Sequence, residues 1–181
     1  MVYIIIAISA LLVIGAIILF YISKYNQIQF NITKIEKAEG LIDEALRNRY
    51  DLINKMIKII KNKVKSTKEY FKDFDKLKDQ EISNFELDRK LTEFYTLCET
   101  VSSDYKSLND NKDLKVLFKE LKQNEEKLMA TKNYYNKNTN DLNGMIRKFP
   151  INIIAKIHKV KIKPFFDGKD LTDDIIDDFK L

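Results

Sequence analysis

The chain has 181 residues, with four glycines, two prolines, one cysteine, one histidine and no tryptophan. That inventory excludes a disulfide framework and a four-ligand Cys/His metal site, and the unclustered glycines leave no phosphate-cradling loop. Charged residues make up 33%, Lys+Arg 32 against Asp+Glu 27 for a net +5, and the length fits one compact domain with an appended segment.

Val2 to Ile22 carries no charged side chain. As a helix this run would reach roughly 31 Å, about the hydrocarbon thickness of a bilayer. Ser9 and Gly15 are cheap interruptions in such a span, and Tyr3 and Tyr21 near its ends suit the two interfaces. A cleaved secretory signal fits less well: no basic region precedes the run, and no small-x-small site lies between Phe20 and Tyr25. No cysteine follows it for lipoprotein processing. After the run come Lys24, Lys34 and Lys37, with Glu36 the first acid. The positive-inside bias then places a very short N-terminus outside and the bulk of the protein in the cytoplasm.

Helical periodicity dominates the remainder. Ile28, Ile32, Ile35, Ile42, Leu46, Ile53, Met56 and Ile60 recur at steps of three and four or their sums, interrupted only by Gly40. The pattern continues after a one-residue shift through Val64, Phe71 and Phe74. A second helix is predicted from about Ser83 to Leu108, with Leu87, Leu91, Phe94, Cys98, Val101 and Tyr105 on one side. Asn109, Asp110 and Asn111 form a polar turn and offer a cap.

The third helix has the clearest pattern. Leu114, Leu117, Leu121, Glu125, Leu128, Lys132, Tyr135, Thr139, Leu142, Ile146 and Phe149 form a coiled-coil-like heptad stripe that ends where Pro150 stops the helix. Such stripes predict an all-α fold, an N-terminal transmembrane helix followed by an antiparallel bundle of three to four long helices. The expected organisation is a transmembrane anchor over 1–23, the bundle over 24–149, a basic and apolar closing segment over 150–166, and an acidic flexible tail over 167–181 with a local charge of −4. Frequent Ile, Lys and Asn match the residue usage of an AT-rich genome, which raises lysine without implying a nucleic-acid ligand.

Arg49, Glu125 and Lys132 interrupt the apolar stripes. Unpaired buried charge is costly, so these groups are expected to meet one another or lie at a wet rim. An internal ion pair that fixes helix register is the favoured role; a ligand or partner site is the alternative.

The residues also carry a resemblance. An N-terminal span is followed by Tyr25-Asn26, then by LRNRYDLI from Leu46 to Ile53. Leu121, Glu125, Tyr135-Asn136 and Asn140 come next, then Phe149-Pro150, Ile154-Ala155 and Phe165-Phe166. In this order and spacing the chain resembles the LemA family of bacterial membrane-anchored helical proteins, over roughly residues 1–166. The resemblance implies a single transmembrane helix, a long-helix bundle and no established catalytic activity. Two departures stand out. The family commonly has proline where this chain has Asn54, so the first helix is expected to run on. A Gly-Phe pair usually near Lys159-Val160 is missing, so the closing segment is expected to pack or bind differently.

No catalytic site, cofactor or metal is expected. His158 is the only histidine and lacks an orienting partner in the sequence, and Cys98 sits on an apolar face where a thiol behaves as a small hydrophobe. Neighbouring carboxylates such as Glu125 and Glu126 point about 100° apart on a helix.

The most distinctive local feature is Ile154 to Phe166, where Lys156, Lys159, Lys161 and Lys163 alternate with apolar residues. It reads first as a cap on the bundle or a partner for the acidic tail. Next come contact with anionic lipid and with a protein, and only then nonspecific nucleic acid. In the tail, Ile175, Ile176 and Phe179 among aspartates fit a frayed terminus or a short helix formed on binding.

The function expected is a non-enzymatic interaction or scaffold module in a bacterial cell membrane, binding an unidentified protein partner. Its candidate contacts are Asn136, Asn140, Asn143 and Arg147 together with the four lysines. Direct binding or remodelling of an anionic membrane surface is the alternative. Heptads are equally compatible with an intramolecular bundle and an oligomer.

Overall fold

The computed structural model describes residues 1–167, and every regular element among them is helical. α1 spans Val2–Lys63 and is followed by two 3-10 segments, Lys65–Phe71 and Asp75–Asp79. Then come α2 (Asn84–Asp104), the short α3 (Lys106–Asn109), α4 (Lys112–Ile146) and α5 (Ile151–Ile157). The expected acidic tail lies outside the described residues beyond Asp167. The described residues divide into a central unit, 38–134, and an N-terminal unit in which 1–37 combines with 135–167.

α1 begins as an apolar rod. Residues 2–22 are exposed except for the half-buried Gly15 and Tyr21. The helix is long and apolar enough to cross a membrane, with a mean hydropathy of 3.0 in its most apolar window. It passes Asn54 unbroken, because asparagine keeps the backbone N–H that proline would remove.

In the central unit, Ile42, Leu46, Ile53, Met56 and Ile60 of α1, Leu91 and Cys98 of α2 and Leu114, Leu121 and Leu128 of α4 are buried and make up the core. α4 runs antiparallel to both other long helices. Lys127 and Asn124 of α4 reach Glu44 and Ala45 of α1, while Lys132 meets Asp88 and Phe118 meets Tyr95 on α2. α1 and α2 therefore point the same way, and residues 64–83 must bring the chain back between them. The expected helical continuation through Phe74 is corrected here: α1 ends at Lys63 and the return is made of 3-10 turns. Phe71, Phe74 and Leu77 are all buried at a spacing of three, the period of a 3-10 helix, so a repeat that continues α1 serves a different geometry. Phe74 stacks on Tyr50 with centroids 4.6 Å apart and meets Phe94 edge-on at 5.1 Å.

α2 starts at a capping box. Glu86 N–H donates to Ser83 Oγ, and Ser83 N–H donates to the Glu86 carboxylate. It ends earlier than expected, at Asp104. Tyr105 takes an extended conformation (φ −116°, ψ 110°) and is exposed, so it leaves the buried face assigned to it. Asn111 accepts the Leu114 N–H through Oδ1 at 3.0 Å and so caps α4 from the predicted polar turn. At its other end α4 stops at Ile146, and Phe149 is 80% exposed instead of closing the heptad stripe.

In the N-terminal unit, Ile28 and Ile35 of α1 and Tyr135, Leu142 and Ile146 of α4 supply buried side chains, joined by Ile154 and Ala155 of α5. After α5 the chain runs on without regular structure from 160 to 165.

Candidate functional site

Three arrangements bring polar side chains together. The first is a four-charge cluster in the central unit. Arg49 is buried; its Nη1 donates to Asp88 Oδ1 at 2.8 Å, and its Nη2 pairs with Glu125 Oε2 at 2.8 Å and with Thr92 Oγ1 at 3.2 Å. Lys132 Nζ completes the group against Asp88 Oδ2 at 2.5 Å. Two cations and two anions cancel, which offsets the cost of burying a guanidinium with only 4% of its side-chain surface exposed. Of the stripe residues singled out in the sequence, Arg49 and Glu125 meet directly. Lys132 joins through Asp88, which sequence reasoning missed. Asp88 stands beside Leu87 and off the apolar stripe of α2, so only its burial identifies it.

The second arrangement fastens the closing segment to α4 in the N-terminal unit. Asn143 is fully buried; its Nδ2 donates to the Lys163 carbonyl at 2.7 Å, and its Oδ1 accepts the Lys163 N–H at 2.9 Å. Asn136 Oδ1 accepts the Phe166 N–H at 2.8 Å, and Tyr135 OH donates to the Pro164 carbonyl at 3.0 Å. Asn136 and Asn143, expected as partner contacts, hold the backbone of residues 163–166 within the N-terminal unit. A segment without a strand partner leaves backbone groups to be satisfied, and side-chain amides offer both donor and acceptor. Asn140, Arg147, Lys156, Lys159 and Lys161 remain exposed, and Lys163 is half-buried. Lys159 adopts a left-handed backbone (φ 54°), the conformation in which a glycine is unstrained.

The third arrangement surrounds the histidine. His158 caps α5, and its Nε2 lies 2.6 Å from Tyr21 OH, while its ring stands 4.3 Å from that of Tyr25. The aromatic partners come from α1, more than a hundred residues away in sequence, so no local motif announced them.

Cys98 is fully buried on α2, and burial, with a smaller contribution from Glu99, pushes its thiol up to about 12. Tyr95 is also pushed up to about 12, chiefly by burial and then by its 2.6 Å hydrogen bond to Glu99. Among the described residues, no group of three or more His, Cys, Asp or Glu side chains could hold a metal ion.

These features define an all-helical protein with a long apolar N-terminal helix, stabilised inside by buried ion pairs and amide fasteners. The sequence profile of the LemA family matches residues 38–175, well over half of the chain, and the chain belongs to that family. No curated protein and no solved structure matches it.

Proposed function

We propose that this chain is a single-span protein of a bacterial cell membrane whose helical module acts by binding a protein partner, without catalysis. The observation that carries the reading is the apolar surface of residues 2–22, exposed along its length and continuous with the helix that builds the module. Monomeric soluble proteins rarely leave a patch of that size open to water, and its length suits a bilayer. Lys24 and Lys34 precede the first acid, Glu36, which favours a cytoplasmic module with the other end of the span outside. A binding role is supported by the placement of the reactive side chains. The thiol of Cys98 is buried and protonated at neutral pH, and His158 is engaged by tyrosines. The exposed groups Asn140 and Arg147 on and just after α4 are the proposed partner contacts.

Fractionation of cells expressing the full chain tests the anchor. The protein should resist alkaline extraction from membranes, and the double substitution Leu11→Lys, Ile14→Lys should release it. Recovery of the unsubstituted chain in the soluble fraction would overturn the reading. Orientation is tested with a membrane-impermeant thiol reagent on a Cys98→Ser, Lys68→Cys variant. Labelling only after permeabilisation is expected; labelling of intact cells would reverse the orientation. Photo-crosslinking from positions 140 and 147 in cells should yield a discrete protein adduct, and its absence at both would remove this face from the proposal.

A further inference from the structure

The exposed apolar side chains of the N-terminal unit do not end with the first stretch of α1. Ile153 is 49% and Ile157 61% exposed, at a spacing of four that places them along one side of α5, and Phe149, just before the helix, is 80% exposed. The other side of α5 is buried through Ile154 and Ala155. α5 lies beside the apolar stretch itself: Ile153 and Ile157 line a shared, almost wholly apolar groove with Val13, Ile17 and Phe20 of α1. His158 closes the end of this arrangement on Tyr21 and Tyr25.

The charge around these residues is predominantly positive, with Asp141, which lies near Lys24, Lys148 and Ile151, and Asp167 the flanking acids. From Leu142 to Phe166 the chain carries Arg147, Lys148, Lys156, Lys159, Lys161 and Lys163 and no acid; from Val2 to Ile35 it carries Lys24 and Lys34 and no acid. Apolar residues that sit against a helix suited to the bilayer, with cations in excess around them, match the layered chemistry of an anionic leaflet, with acyl chains below and phosphates above. A soluble protein partner would account for the apolar face but not for its continuity with residues 13–20 of α1.

We propose that α5 is an interfacial helix that inserts Phe149, Ile153 and Ile157 into the leaflet on the module's side, with Lys156, Lys159 and Lys161 holding anionic headgroups. This rests on the reading of residues 2–22 as a membrane span. Tyr21, Tyr25 and His158 then lie at headgroup level, where amphipathic rings are favoured.

The absence of tryptophan makes single tryptophans clean depth probes. The full chain is reconstituted into phosphatidylcholine vesicles with and without phosphatidylglycerol, with lipids brominated on their acyl chains as quenchers. Four variants are compared: Phe149→Trp, Ile153→Trp, Leu12→Trp as the span reference and Phe30→Trp, roughly 12 Å beyond Ile22 along α1, as the aqueous reference. The expected result is quenching of Phe149→Trp and Ile153→Trp to an extent approaching Leu12→Trp and well above Phe30→Trp. It should deepen when phosphatidylglycerol is present, and Lys156→Gln, Lys159→Gln, Lys161→Gln together should abolish that increment. If Leu12→Trp is quenched while both α5 probes match Phe30→Trp, the interfacial helix is overturned and the span stands. Failure of Leu12→Trp itself removes the span and the inference with it. Emission shielded from both bromolipid and aqueous iodide would overturn lipid insertion in favour of cover by protein. Quenching indifferent to phosphatidylglycerol would overturn the role assigned to the lysines.

Discussion

Burial decides the chemistry of single residues here more than their identity does. Cys98 is a nucleophile by composition, yet with its thiol raised to about 12 it carries almost no thiolate at neutral pH. Iodoacetamide should leave it unmodified in the folded protein and label it readily in denaturant, as read by mass spectrometry. The shift also sets a pH dependence. The ordinary thiol value is 9.0, so the fold holds this proton longer than the unfolded chain does. Its contribution to stability is complete below about pH 9 and is lost as pH rises from there towards 12, by at most about 1.4 kcal/mol per pH unit. Chemical denaturation at a series of alkaline pH values should show this decline, and Cys98→Ala should reduce its slope, leaving above about pH 10 the part that belongs to Tyr95. Gly40 presents the opposite case, an exposed helix residue where an added Cβ would meet nothing within 4 Å. Gly40→Ala should therefore stabilise the protein by about 1 kcal/mol, visible as a raised Tm.

At the scale of elements, long periodic patterns were readable and their ends were not. The stripes of α1 and α4 stand out because burial recurs every three to four residues over many turns. Phe71 and Phe74 continue that rhythm, and nothing in their spacing separates a helix running on from a 3-10 return. Tyr105 and Phe149 extend the stripes of α2 and α4 by one step past the last helical turn, where a capping change and not hydrophobicity decides the outcome. The fasteners on α4 were hidden for another reason. Asn136 and Asn143 read as candidate partner contacts on a polar stripe, and the backbone they hold lies 20 to 30 residues downstream. Replacing Asn143 with leucine keeps the side chain's bulk but leaves the Lys163 N–H and carbonyl without these partners. Since an unsatisfied backbone group costs roughly 1–3 kcal/mol, hydrogen exchange at Lys163 should accelerate about 10- to 100-fold. Exchange in α2 should stay unchanged.

At the scale of the molecule, the central unit is locked by charge as well as by its apolar core. The cluster joins α1, α2 and α4 through Arg49, Asp88, Glu125 and Lys132. Its members differ in weight. Arg49 and Asp88 are nearly enclosed, whereas the Glu125 side chain is 47% exposed. Breaking the enclosed pair with Arg49→Met should cost about 3 kcal/mol or more, because Asp88 keeps a buried charge with one cation fewer. Glu125→Gln should cost less than about 1 kcal/mol. Thermal unfolding of the detergent-solubilised full chain compares the two, and equal losses would refute this ranking. The sequence exposed three of the four members as polar interruptions of apolar stripes; the fourth depended on which helices became neighbours.

Four hydrogen bonds from α4 to residues 163–166 fall on main-chain atoms: two at Lys163, one at Pro164 and one at Phe166. These bonds ask nothing of the side chains they pass, so they form a handhold blind to spelling. The one residue these bonds themselves exclude is proline, and only where an N–H is used. Proline is accommodated at 164, where the carbonyl alone is taken, but at 163 or 166 it would delete a donor. Backbone chemistry is thus one filter on mutational drift in this stretch, beside whatever its half-buried side chains require.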